Sequence, residues 1–92
     1  MSASVTQDLQ IINEKGLHAR ASAKFVETVE RFDASAMVEK DGLEVSGDSI
    51  MGLLMLAAPR GSTIRVTASG AQAGELVKAL SELVNDYFGE GM

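Results

Sequence analysis

The sequence predicts an α+β fold: an open-faced two-layer β-sandwich whose four-stranded, mostly antiparallel sheet is covered on one face by three helices. Three observations carry that prediction. Apolar and polar residues alternate in four separate segments, the period of half-buried strands. Two long stretches and one short one carry apolar residues at helical spacing. Asp41-Gly42 joins two of the alternating segments, a pairing that favours a tight antiparallel hairpin. Runs of strand and helix in the order β-α-β-β-α-β-α fit two layers around one core. A chain of 92 residues suits a single domain, residues 1–92, that buries about two-thirds of the unfolded surface.

Val5, Leu9 and Ile11 alternate with Thr6, Asp8 and Gln10, giving the first strand, with Gln7 interrupting the pattern. After a turn at Gly16, Ala21, Phe25, Val29 and Phe32 fall on one side of a helix over residues 19–31, with charges on the other. Ala34, Ala36 and Val38 lead into the Asp41-Gly42 turn, and Leu43 and Val45 lead out of it. Ser46-Gly47-Asp48-Ser49 is a loop ending in good N-cap residues, and Ile50 to Leu56 is a short helix apolar nearly all round. Pro59-Arg60-Gly61 is a turn, after which Ile64, Val66 and Ala68 point inward and Thr63, Arg65 and Thr67 outward. Ala73, Leu76, Val77, Leu80, Leu83, Val84 and Tyr87 mark the longest helix, with a core stripe over 73–87 and Gly89 as its stop.

Composition removes several functional classes. There is no cysteine and one histidine, so disulfides, thiol chemistry and an ordinary zinc site are not expected, and no metal or cofactor is implied. The formal charge of −5 argues against nucleic acid as a partner, because such binding rests on basic charge. Three phenylalanines and one tyrosine are too few for a base-stacking platform. The start of the chain lacks the basic and apolar segments of a signal peptide, and the apolar run from Ile50 to Ala58 is too short to span a bilayer. A cytoplasmic protein with no membrane insertion is expected.

The single histidine, His18, falls where a loop turns into a helix, two residues before Arg20. First-turn amides and the peptide dipoles favour negative charge there and disfavour an imidazolium, so a neutral, nucleophilic ring is expected. The residues alone leave two readings of His18: a nucleophile or ligand, or a turn histidine bonded to the backbone. Arg20 sits where its own charge is mildly unfavourable, which suits an anion-related role better than a solvated surface position. Ser49 is most simply an N-cap. The helix over 50–56 cannot turn every side chain inward, so Met51, Leu54 and Met55 are expected to form an exposed apolar patch. Glu27, Glu30, Glu82 and Asp86 read as solvated faces.

The segments Gly16-Leu17-His18-Ala19-Arg20-Ala21 and Asp48-Ser49-Ile50-Met51-Gly52-Leu53-Leu54, in this order of elements, closely resemble the histidine-containing phosphocarrier family, HPr. HPr is a relay of the phosphoenolpyruvate-dependent phosphotransferase system. The resemblance runs from about residue 5 to residue 88. It implies that His18 accepts a phosphoryl group on Nδ1 from enzyme I and passes it to a histidine of a receiving phosphotransferase-system domain. His18 and Arg20 are then the candidate catalytic residues, and the backbone amides of Ala19 and Arg20 hold phosphoryl oxygens. Ser49 matches a site phosphorylated by a serine kinase in some branches, and Ile50, Met51 and Leu54, with Met55, form the docking surface. The resemblance implies a carrier rather than a stand-alone enzyme, acting as a monomer in sugar transport or regulation. Two departures stand out. Ala21 replaces a common proline, and Glu27 and Glu30 stand where sugar-transport members often carry lysine, which tilts toward a regulatory, nitrogen-type branch or toward a partner whose surface is differently charged. The rival from another class is a non-covalent anion-sensing or protein-interaction module on a similar scaffold. A regulatory paralogue acting through Ser49 alone is disfavoured, since that type lacks the histidine.

Overall fold

The computed structural model describes residues 4–91; Met1 to Ala3, part of the start read as lacking a signal peptide, and Met92 lie outside the described residues. Along the chain run β1 (Ser4–Gln10), α1 (Ala19–Glu30), β2 (Ser35–Lys40), β3 (Leu43–Ser46), α2 (Ile50–Met55), β4 (Thr63–Ser69) and α3 (Ala73–Asn85), then a 3₁₀ turn at Tyr87–Gly89. The order is the expected one. The strands form one sheet, β1-β4-β2-β3, in which all three pairings are antiparallel. The last strand thus lies between the first two, tying the chain's halves together.

Register separates the two faces. Leu9 pairs with Ile64, and Ala36 and Val38 pair with Ala68 and Val66; all six are buried beneath the helices. Thr6, Asp8, Arg65, Thr67 and Glu39 occupy the opposite, open face, where Arg65 Nε donates to Asp8 Oδ1 at 3.0 Å. Gln7 stands in the inward row opposite Val66 yet is exposed, on an edge strand. Asp41 and Gly42 have φ of 52° and 86°, both positive, which makes the hairpin turn the primed type whose twist matches its strands.

The helices close the core. α1 buries Ala21, Phe25, Val26 and Val29, together with Ser22 and Thr28, whose hydroxyls donate to the Leu17 and Lys24 carbonyls. Complete burial of a side chain such as Phe25, Leu76 or Leu80 contributes roughly 1.5–3 kcal/mol. α3 ends two residues before the expected limit. Asp86 leaves helical geometry, and Tyr87 and Phe88 take left-handed φ of 58° and 53°. This reverses the expected core assignment: Tyr87 is exposed, whereas Phe88 turns back and is fully buried. Gly89, with φ of 77°, closes the 3₁₀ turn rather than α3.

Gly16 has φ of 67°, and a Cβ there would lie 2.5 Å from the Ala58 carbonyl oxygen and 2.9 Å from Pro59 Cα. The glycine is therefore required by a close approach to the chain's own 58–59 segment. Leu17 N–H donates to the same Ala58 oxygen at 2.9 Å, while Ile11 N–H donates to the Ser62 carbonyl at 2.8 Å and Gly61 N–H to the Ile11 carbonyl at 2.7 Å across the two loops. The loop before α1 is thus stapled to the loop after α2.

Ala57 follows the C-cap of α2 with φ of 49°, donates to the Leu54 carbonyl at 3.1 Å, and is exposed. A Cβ in that region is unfavourable, and glycine usually occupies it. Ala57→Gly is expected to raise stability by about 0.5–1 kcal/mol, read by thermal or urea unfolding. An unchanged or lowered midpoint would contradict the assignment.

Candidate functional site

His18 is the N-cap of α1. Its backbone is extended, its carbonyl accepts the first helical bond from Ser22 N–H at 2.8 Å, and its Nδ1 accepts from Arg20 N–H at 3.3 Å. Accepting that bond makes Nδ1 the ring nitrogen without a proton. The ring is half-buried, with 27% of the side chain exposed, and Nδ1 is turned to the Arg20 amide at the helix start. The Ala19 amide makes no bond within the described residues, and Arg20 has no ion-pair partner among them.

The other ring nitrogen, Nε2, bonds to Glu90 Oε2, a partner 72 residues away that the sequence reading did not include. Glu90 Oε1 accepts from Asn13 Nδ2 at 3.0 Å, and the same amide donates to the Gly16 carbonyl at 2.8 Å. Both neighbours of that nitrogen are acceptors, which settles the orientation of the Asn13 amide. Lys24, assigned with the helix's charged far side, is half-buried instead and donates from Nζ to the Phe88 carbonyl at 2.6 Å. No motif pointed to Asn13, Lys24 or Glu90. The one local cue was a polar Asn13 directly after the apolar pair Ile11-Ile12.

These groups border an open depression of about 700 Å³ lined by Glu14, Lys15, His18, Ala19, Arg20 and Lys24, with Gly89 and Glu90. Lys15, Arg20 and Lys24 outnumber the carboxylates of Glu14 and Glu90 here, which leaves the surroundings slightly positive despite the chain's net charge of −5. Burial would raise the Glu90 carboxyl, but hydrogen bonds from Asn13 and His18, with the charge of Lys15 and that of the His18 ring whenever it is protonated, outweigh it and hold the group below the usual glutamate value of 4.5.

Ser49 does not line the depression. It caps α2, accepting from Gly52 N–H at 3.0 Å. α2 rests against α1, burying Leu53 and Leu56, while Ile50 and Leu54 are exposed and Met51 and Met55 more so, at 70% and 66%. The expected apolar patch is present, and Ile50 belongs to it.

Fold and geometry define a class: a small open-faced α+β domain offering one oriented imidazole at the start of a helix, beside an exposed apolar helix. Residues 5–86 match the family model described as "PTS HPr component phosphorylation site". The chain is 49% identical over 85 residues to phosphocarrier protein HPr of Neisseria meningitidis serogroup B, covering 92% of this chain and 96% of the relative. It is 38% identical over 88 residues to phosphocarrier protein NPr of Escherichia coli K12, covering 95% and 98%. A solved HPr from Thermoanaerobacter tengcongensis superposes with a TM-score of 0.88 at 39% identity, covering 98% and 99%; an HPr dimer from that organism superposes at 0.75, with 40% identity and 89% and 94% coverage. The chain belongs to the HPr family of phosphocarrier proteins of the phosphotransferase system.

The depressed Glu90 carboxyl has a pH consequence. A group whose folded value lies below its unfolded value contributes stability that is complete above the unfolded value and is lost as pH falls through the folded one. The Asn13–Glu90–His18 contact is therefore expected to persist at pH 4.5 and to fail below it. A ¹³C NMR titration of the Glu90 carboxyl should show a midpoint under 4.5. A midpoint at or above 4.5 would contradict the contact.

Proposed function

We propose that His18 is the phosphoryl acceptor of this carrier: Nδ1 takes the group from a phosphohistidine of enzyme I, charged by phosphoenolpyruvate, and yields it to a histidine of a receiving domain. The observation that carries this reading is the ring's geometry, with Nδ1 accepting from the Arg20 amide at the start of α1 and the side chain partly exposed. The 3.3 Å bond from Arg20 N–H to Nδ1 is long and weak, so the amide is released easily when Nδ1 attacks. Together with the Ala19 amide it can then bond phosphoryl oxygens, at the end of the helix where dipoles favour negative charge. The Arg20 guanidinium, on the rim of the same depression, offsets charge as it develops. Phosphoryl transfer needs little more than such positioning and electrostatics, so a small surface site is enough for a carrier that turns over only with its partners.

The patch of Ile50, Met51, Leu54 and Met55 is the proposed docking surface for both donor and receiver, with methionines adapting to two partners in turn. The carrier works as a cytoplasmic monomer that meets partners transiently, and no helix of the described residues is long and apolar enough to cross a membrane. Glu27 and Glu30 are exposed on α1, which favours partner surfaces less acidic than those a lysine-rich rim would seek and leans toward a regulatory, nitrogen-type output. Ser49 is a proposed regulatory phosphorylation site for a serine kinase. Phosphate there would place about two negative charges at the edge of the docking patch.

Incubation with phosphoenolpyruvate and enzyme I, read by intact mass, is expected to add one phosphoryl group to the wild type and none to His18→Ala, whose fold stays intact. The adduct should be labile to acid and stable to base. Labelling of His18→Ala, or none of the wild type, would overturn the reading. A non-covalent anion sensor would gain no mass at all. Ser49→Asp keeps a good N-cap yet adds charge, so it should slow transfer without unfolding the protein. Ser49→Ala should transfer normally and lose about 1 kcal/mol of stability. Unchanged transfer by Ser49→Asp would exclude regulation at this position.

A further inference from the structure

We infer that Glu90 is a positioning residue for phosphoryl transfer: held by Asn13 and delivered by a turn that Lys24 clamps, its carboxylate fixes the His18 ring so that Nδ1 is the nitrogen presented. The inference rests on reading His18 as the acceptor.

Several independent contacts converge on this tail. Phe88 is fully buried in left-handed geometry and so anchors the segment beyond α3. Lys24 Nζ donates to the Phe88 carbonyl, and a Cβ at Gly89 would come within 3.1 Å of that nitrogen, so the glycine leaves the ammonium its place. Glu90 N–H donates to the Tyr87 carbonyl at 2.9 Å, closing the turn. The Glu90 side chain is only 16% exposed, whereas a merely solvating glutamate near a chain end stands free. One carboxylate oxygen goes to a wholly buried Asn13 amide and the other to Nε2.

A carboxylate on one imidazole nitrogen selects the tautomer with the proton there and leaves the other nitrogen's lone pair available, as in other sites that use an oriented histidine. In the transfer, the Nδ1 lone pair forms the new N–P bond while the donor histidine's N–P bond breaks and its electron pair leaves with that nitrogen. The Nε2 proton stays in place. The ring then carries positive charge, which faces the Glu90 carboxylate.

The test uses the full chain, labelled with ¹⁵N-histidine, as wild type, Glu90→Ala, Glu90→Asp and Lys24→Met. Two readouts are taken: the Nε2–H proton by NMR, and the rate of phosphoryl uptake from phosphorylated enzyme I. The wild type should show a downfield Nε2–H proton protected from solvent exchange. Glu90→Ala should lose it and Glu90→Asp should regain part of it, while Lys24→Met should lie between wild type and Glu90→Ala. The maximal uptake rate of Glu90→Ala should fall roughly ten- to a hundredfold, the loss seen when the partner orienting a metal-bound imidazole is removed, with KM for enzyme I unchanged. A purely structural tail would leave the rate untouched, and a docking role would move KM instead. A protected proton surviving in Glu90→Ala, or a wild-type maximal rate in that variant, overturns the inference. A wild type that shows the Glu90-dependent proton but takes up no phosphoryl group upholds the ring-fixing and overturns the acceptor reading instead.

Discussion

The His18 ring is held from both of its nitrogens, by the Arg20 amide on one side and the Glu90 carboxylate on the other, and much of the molecule serves to bring those two groups together. The amide arrives with the first turn of α1, whose entry is set by Gly16 against Ala58–Pro59 and by buried Leu17. The carboxylate arrives from the opposite end of the chain, past α3, through a left-handed turn anchored by Phe88. Both deliveries depend on the sheet. β1 leads into the loop before α1, β4 pairs beside it and leads into α3, and the two strands are in register from Ser4–Ser69 to Gln10–Thr63. Loss of that pairing would separate the two ends of the site.

Charge is apportioned between regions with different tasks. Overall the chain is acidic, which suits solubility, yet Lys15, Arg20 and Lys24 gather at the depression beside His18. The neighbouring α2 surface is almost free of charge, exposing Ile50, Met51, Leu54 and Met55. A site that must hold a dianion briefly and release it to another protein needs this division. On the proposed reading, the polar depression stabilises the group modestly, and the apolar patch supplies binding that does not depend on whether the group is present.

Much of the fold could be read from periodicity, because each layer has one buried face. Alternation in β2 and β4, the Asp41-Gly42 turn and the Phe25–Val29 stripe all report burial directly. The end of α3 could not. Tyr87 continues the spacing of Leu80 and Val84, so only the tertiary packing of Phe88 reveals that the chain reverses there. For the site, His18, Arg20 and the α2 patch stood out because a lone histidine at a helix start and an all-round apolar short helix are locally anomalous. Lys24 and Glu90 carry no such local mark, and Asn13 only the faint one of a polar residue after Ile11-Ile12. Each is an ordinary polar residue whose meaning comes from a contact across the fold, 77 residues apart for Asn13 with Glu90 and 64 for Lys24 with Phe88.

The central claim is that Nδ1 is the reactive nitrogen because Nε2 is engaged. Phosphorylating ¹⁵N-histidine-labelled protein with phosphoenolpyruvate and enzyme I, and recording the ³¹P–¹⁵N coupling, tests it most directly. Coupling to Nδ1 alone, with Nε2 still bearing its proton, is the result expected. Coupling to Nε2, or phosphate attached to oxygen rather than nitrogen, would contradict it.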